Sequence, residues 1–391
     1  MSNAIMAPKL GEPYLLTPGP LTTSAKTKEA MLRDWGSWDG EFRALTAEMR
    51  AGLLELTGDT NAVLDCVPMQ GSGSFSVEAM LGSFVPHDGK VLVLSNGAYG
   101  KRIAQTLEYL NRDHTVIDKG DYMPPRGPEV TAAIEADPAI THVIIVHCET
   151  SSGILNPVKE IADAVEAAGR KLLVDSMSAF GAVPLDFTEI PYVAMVSSAN
   201  KCIEGVPGFG FIIARKDELE AAKGRSHSLC LDVHAQWSHM NKTGQWRFTP
   251  PTHVVVAFLE ALRAHKAEGG VAGRGARYAR NRDVVVAGMQ ELGFGTLLRN
   301  RWLSSIIVTF FCPADEKFNF DTFYETMKSK GFIIYPGKLT IVDSFRIGCI
   351  GQMDEAVMRQ VVAAAKETLT EMGVNSAAPP ELAIIERNKL T

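Results

Sequence analysis

GKVLVLSNGAYGKRIAQTLEYLNRDHTVIDKG, residues Gly89 to Gly120, decides the fold class. An apolar strand runs into a turn, then an amphipathic helix, then a second strand. The same alternation continues with EVTAAIEADP as a helix and THVIIVHCE as a strand, then PVKEIADAVEAAG as a helix and RKLLVD as a strand, ending at Asp175. The strand segments are almost wholly apolar, as strands are when helices cover both faces. A series of βαβ units therefore predicts an α/β fold, with a mainly parallel central sheet flanked by helices. Its ligand site belongs at the carboxyl ends of the strands.

The pattern changes after about residue 250. THVVVAFLEALRAHKAEGG and RGARYARNRDVVVAGMQELG read as helices, SSIIVTFFCP, GFIIYPG and SFRIGCIG as short strands, and DEAVMRQVVAAAKETLTEMG as a closing helix. That is a smaller α+β domain. A chain of 391 residues holds two or three domains at roughly 150 residues each. The expected division is an N-terminal arm over 1–20, a large domain over 21–265, a small domain over 266–375 and a loosely attached tail over 376–391.

Lys plus Arg total 39 against 45 Asp plus Glu, a net charge of −6. This mild acidity argues against nucleic acid or an anionic membrane as partner, but not against a small anion held by one arginine. No apolar run approaches the roughly 20 residues of a membrane span. The opening MSNAIMAPKLGEPY lacks the apolar core of a signal peptide, and its first residues resemble a cloning remnant. The cysteines, Cys66, Cys148, Cys202, Cys230, Cys312 and Cys349, form no CxxC pair, so reduced thiols and a cytoplasmic location are expected.

Lys201, in SSANKCIEGVPGFGFIIAR, follows the apolar run Tyr192 to Val196. That places a hydrated cation at the end of a buried strand. Alone it is either a lysine snorkelling to the surface or a desolvated, nucleophilic amine able to form a Schiff base. Asp175 at another strand end is either a turn residue or a carboxylate awaiting a cationic partner. Gly71, Ser72, Gly73 and Ser74 precede a helical pattern, as either an ordinary capped start or a phosphate cup. The cup lacks the GK[ST] of a Walker loop, and Ser76 replaces the third glycine of GxGxxG. Taken together, cup, carboxylate and amine on one parallel sheet are three parts of a pyridoxal phosphate site: phosphate, pyridinium nitrogen and aldehyde.

Tyr99, in the turn after a strand, either packs locally or stacks on the cofactor ring. Arg346, flanked by Phe345 and Ile347, is either a surface strand residue or a fork for an anionic substrate. His227, Cys230, His234 and His239 fit no standard zinc spacing and are read as helix and loop residues, with no metal.

LLTPGPLTTS, QGSGSFSVEAMLGS, SNGAYGKR, HCETSSGILNP, VDSMSAFG, SSANKCIEGVPGFGF, QWRFTPPTH and FRIGCIG resemble the class V aminotransferases of the fold type I pyridoxal phosphate enzymes. Within that family they are most similar to the branch acting on 2-aminoethylphosphonate and pyruvate. The resemblance runs from about Tyr14 to about Gly373, and ANKCIEGVPGFGF with WRFTPPTH is its most specific part. It implies that Lys201 binds the cofactor covalently and that Asp175 pairs with the ring nitrogen. Ser72, Gly73 and Ser74 would hold the phosphate, with Ser198 among the cofactor contacts. Tyr99 would stack on the ring, Thr150 would lie near the phenolic oxygen, and Arg346 would bind the substrate anion. Thr249 would reach the cofactor phosphate of a neighbouring subunit, across a homodimer interface. The pattern departs at Ser74, where threonine is expected, and at TSSG, where a more threonine-rich run is expected; both keep hydroxyls.

The implied reaction gives phosphonoacetaldehyde and alanine. The alternative within the family uses glyoxylate with alanine or serine as donor. A cysteine desulfurase needs a cysteine on a mobile Gly/Ser-rich loop, whereas Cys312 and Cys349 follow apolar strand runs. A non-catalytic nucleotide-binding protein would be colourless when purified.

Overall fold

The computed structural model describes residues 12–121, 123–298 and 301–389; the first eleven residues of the expected arm lie outside that range. A seven-stranded sheet organises the large domain. Its strands run, from one edge to the other, Asp113–Asp118, Lys90–Ser95, Ile140–Val146, Lys171–Asp175, Ala194–Ser198, Phe209–Arg215 and Leu64–Gln70. All are parallel except Phe209–Arg215, which is antiparallel to both neighbours.

Alternate side chains of each strand enter different cores. Leu92, Leu94, Val143, Ile145, Leu172 and Val174 pack with the helices Val158–Ala167 and Thr252–Ala267. Val91, Val93, Ile144, Val146 and Leu173 pack with Gly73–Phe84 and Ala98–Tyr109. Both faces are dry, which is why these strands read as unbroken apolar runs. Only the edge strand Asp113–Asp118 has no fully buried residue, its positions being half-buried or exposed.

In the small domain Ser344–Gly348 is the middle strand, between Ile307–Phe311 and Tyr335–Pro336. Its core joins Val308, Phe310, Phe345 and Ile347 to Val285 and Met289 of the long helix Gly270–Glu291, and to Met358 and Val361 of Glu355–Met372. Residues 14 and 15, assigned to the arm, pair in parallel with Phe332 and Ile333, and Leu16 is buried in this core.

The C-terminal segment differs from the expected loose tail. Residues Glu381–Asn388 form a helix whose Ala383, Glu386 and Arg387 are buried. Ala383 packs against Leu297, Leu298, Phe311 and Val342. The i, i+3, i+4 spacing puts these residues on one face. The stretch of chain before it is held by Ala314 N–H on the Ala378 carbonyl (2.9 Å) and by Asp315 accepting from Asn375 N–H (2.8 Å). No helix among the described residues is long and apolar enough to cross a membrane.

Candidate active site

Asp175 and Lys201 lie at and beyond the carboxyl ends of neighbouring interior strands. Asp175 is the last residue of its strand and is buried. Its Oδ1 accepts from Met177 N–H at 3.0 Å. Burial pushes its carboxyl up to about 6; Glu149 adds to the rise, while Met177 N–H and the Lys201 charge oppose it. A desolvated carboxylate with so little support favours a cationic partner.

Lys201 follows Ala194–Ser198 in a tight loop, where Glu204 N–H bonds the Lys201 carbonyl at 2.7 Å and Gly205 N–H bonds that of Ala199 at 2.9 Å. Its Nζ donates to the Pro18 carbonyl at 2.9 Å and reaches that of Gly19 at 3.5 Å. Burial brings the amine down to about 8; Arg346 pushes the same way and Asp175 opposes. Gly19 is needed for this approach: its φ is +113°, and a Cβ there would lie 2.7 Å from Lys201 Cδ.

Behind the lysine loop is a buried charge network. Glu204 holds a left-handed backbone (φ +65°), a conformation that costs a side-chain-bearing residue about 1 kcal/mol or more. Its Oε1 accepts from Tyr278 Oη (2.6 Å) and Arg277 Nη2 (2.8 Å). Arg277 also donates through Nη1 to the carbonyls of Gly351 (2.5 Å) and Met353 (2.9 Å), so it ties the lysine loop to the small domain. Arg274 bonds the Cys202 carbonyl at 2.6 Å and Glu268 at 2.6 Å. Burial works to raise the Glu268 carboxyl, but Arg277 and Arg274 outweigh it and hold it at about 2. Replacing Arg277 by methionine leaves Glu204 buried without that partner. It should lower the unfolding free energy by about 3–5 kcal/mol. Urea denaturation checks this, with removal of the exposed Arg33–Glu41 pair as a control that leaves the midpoint unmoved.

The Gly71–Ser74 segment opens the helix Gly73–Phe84, whose first N–H groups have no acceptor within the helix. Ser72 occupies the N-cap position, yet its hydroxyl makes no capping bond. At Gly73 a Cβ would lie 2.4 Å from Met177 Sδ, so the chain is as narrow there as it can be. Gly73, Ser74, Tyr99, Arg102, Asp175 and Met177 contribute to the wall of one cavity of about 230 Å³.

Arg346 stands opposite Thr309 and Tyr335 in the small sheet and is fully buried, which removes the surface-residue reading. Nε donates to the Pro336 carbonyl (2.9 Å) and Nη1 to that of Thr150 (2.6 Å), while Nη2 is buried with no partner among the described residues. Thr150 is buried too, and its Oγ1 lacks a partner among them. Ser198 is buried, its hydroxyl donating to Asn200 Oδ1 at 3.1 Å.

Lys201, Asp175, Thr150, Tyr99, Arg346 and the Gly73–Ser74 helix start thus converge. Thr249 does not join them. It is exposed beside Phe248, itself 42% exposed on the wall of a separate cleft with Gly71 and Phe75. His234 and His239 lie on the helix Val233–Thr243, and His234 Nδ1 is 2.9 Å from the Leu219 carbonyl. Glu149 is a further residue of the site, and it is fully buried. It accepts from the N–H groups of Tyr99 (3.1 Å) and Gly100 (3.3 Å) and from Ser151 Oγ (2.6 Å), and so positions the Tyr99 helix. Its signal was available: like Asp175, it is an acid at the end of an apolar run.

The family model for aminotransferase class V matches residues 69–317. The 2-aminoethylphosphonate–pyruvate transaminase of Rhizobium meliloti (strain 1021) is 74% identical over 97% of this chain and 100% of its own length. 2-Aminoethylphosphonate–pyruvate transaminase 1 of Paraburkholderia xenovorans (strain LB400) is 69% identical over 98% and 99%. Among solved structures, pyridoxamine–pyruvate aminotransferase from Mesorhizobium loti superimposes with a TM-score of 0.85 at 20% identity, covering 98% of each chain. Alanine–glyoxylate aminotransferase from Nostoc sp. also gives 0.85 at 20% identity, covering 93% of this chain and 97% of its own.

Proposed function

The chain belongs to the class V aminotransferases, and from that premise we propose that it moves the amino group of 2-aminoethylphosphonate to pyruvate, yielding phosphonoacetaldehyde and alanine. The 74% identity over the whole of a relative named for this reaction carries the assignment. Within the fold, the unpartnered Nη2 of a buried arginine supports an anionic substrate.

The residues present fit pyridoxal phosphate. The Ser72 hydroxyl and the first N–H groups of the Gly73–Phe84 helix suit a phosphate. Thr150 Oγ1 is an unpaired buried hydroxyl, as a contact to a polar cofactor atom requires. Asp175 suits a protonated ring nitrogen, and the lowered amine of Lys201 suits covalent attachment. Tyr99 offers a half-buried ring in the same cavity. Thr249 and the apolar cleft beside it suit a second subunit, so we assign the chain to a homodimer with shared sites.

When bound, the cofactor supplies an electron sink for the charge left on the substrate carbon after its proton departs. The protein's own residues do the rest. Arg346 receives the phosphonate in one half-reaction and the pyruvate carboxylate in the other, which orients the reacting carbon. With the cofactor bound, Lys201 Nζ would be the base placed to take the proton from the carbon bearing the amino group and to hand it on. Asp175 keeps a proton on the ring nitrogen. The Pro18 and Gly19 carbonyls hold the amine in place.

An absorbance spectrum tests this. The purified protein should be yellow, bleach on addition of 2-aminoethylphosphonate alone and recover with pyruvate. Bleaching with alanine or serine but not with 2-aminoethylphosphonate moves the activity to the glyoxylate branch.

A further inference from the structure

Positive charge collects around Tyr99; the exposed Glu78 shares a cavity wall with Tyr99 and Arg102 but forms no ion pair among the described residues. The Lys338 ammonium lies 5.6 Å from the Tyr99 ring centroid and the Arg102 guanidinium 5.2 Å from it. Arg346 lies 5.0 Å from the Tyr335 ring, in the same group of cations and aromatics. Other lysines find acids: Lys330 bridges Glu367 and Glu371, and Lys159 meets Asp163. Among the described residues neither Lys338 nor Arg102 is in an ion pair. The acid closest in charge to the cluster, Glu149, is buried and committed to the N–H groups of Tyr99, Gly100 and Ser151 and to the Ser151 hydroxyl. Burial and the like charges of Arg346 and Arg102 draw the Lys338 amine below its usual value.

The turn carrying Lys338 is held in place. Gly337 N–H bonds the Ser344 carbonyl at 2.9 Å. Thr340 donates to Asp121 Oδ2 of the large domain through N–H (2.9 Å) and Oγ1 (2.6 Å). This clasp keeps the small-domain turn against the large domain, where the exposed Lys338 stands over the Tyr99 ring.

Arg346 by itself matches a carboxylate better than a phosphonate. Two of its nitrogens are already donating to backbone carbonyls, which leaves Nη2 as its unpaired one. A carboxylate brings two oxygens and one charge; a phosphonate brings three oxygens and up to two charges. Resting on the proposed reaction, we propose that Lys338 is the second cation for the phosphonate group, and so a residue that sets specificity for phosphonate over carboxylate amino donors.

The half-reactions of the holoenzyme separate the two groups. In Lys338→Met, kcat/KM for 2-aminoethylphosphonate should fall about tenfold or more, the worth of one hydrogen bond to a charged group. For pyruvate the fall should stay below about threefold, as for an exposed charge making no direct contact. Lys338→Arg should restore most of the phosphonate half-reaction. Methylphosphonate and acetate, as competitive inhibitors, give a second readout: the variant should lose affinity for methylphosphonate and keep it for acetate. Equal losses in both half-reactions, or none, overturn the role of Lys338 while the proposed reaction stands. A wild-type protein that ignores 2-aminoethylphosphonate overturns the proposed reaction itself, and this inference with it.

Discussion

Lys201→Ala should lower transamination by more than about 10⁴-fold, since in the proposed mechanism it removes the covalent anchor and the proton carrier in one step. No neighbour can substitute. Arg346 is close enough to perturb the Lys201 amine, but a guanidinium neither deprotonates nor attacks a carbonyl. Lys201→Arg should therefore be as inactive as the alanine variant, which separates a need for the amine from a need for the charge. The amine's position at about 8 has its own consequence. An ordinary lysine titrates near 10.4, so at pH 8 it holds almost no neutral amine, whereas Lys201 is about half neutral. Covalent capture of pyridoxal phosphate by the cofactor-free protein should rise with pH and level off above about 8. Rapid-mixing absorbance reads that profile; a midpoint near 10 would mean that Lys201 stays solvated in the cofactor-free protein.

Asp175→Asn should move activity and stability in opposite directions. Activity should fall about 10²–10³-fold, in the range for loss of one preorganised electrostatic partner. The cofactor-free protein should become more stable. The folded carboxyl titrates at about 6, above its unfolded value near 3.9. Its contribution is therefore most favourable below about pH 4 and is lost as pH rises through 6. At pH 7.5 the buried ionised carboxylate costs on the order of 3 kcal/mol, which the amide avoids while still accepting from Met177 N–H. Thermal unfolding of both cofactor-free proteins at pH 7.5 and at pH 4.5 checks the sign: the advantage of the D175N protein should shrink at the lower pH. A D175N protein that is less stable at pH 7.5 would mean that the carboxylate already has a partner within the chain.

Much of the site was legible because strand ends leave a signature. Asp175 and Lys201 are charged residues set after apolar runs, and the physics that makes such placement costly is what makes it noticeable. Arg346, between Phe345 and Ile347, is ambiguous by position alone and gains its proposed role only from the rest of the site. Glu149 carries the same signature and was missed, because its partners are backbone N–H groups some fifty positions earlier in the chain. Lys338 was invisible for another reason. An exposed lysine after Tyr-Pro-Gly has no local peculiarity, and it gains meaning only when Thr340 clasps Asp121 and the turn is carried to Tyr99. The C-terminal helix leaves little trace in the sequence: Pro379 and Pro380 dominate its entry, and its buried face holds only Ala383 and two charged residues.

Local patterning alone determined that strands and helices alternate, that the sheet is covered on both faces, and that Asp175 and Lys201 stand at and beyond strand carboxyl ends. Each of these follows from side-chain period and burial, which act over a few residues. The order of the strands, the reversal of Phe209–Arg215, the carbonyls of Pro18 and Gly19 on Lys201, and the Arg277 bridge between the domains depend on contacts between residues far apart in sequence. Such contacts come into being only when the chain closes on itself, and tertiary structure alone decides them.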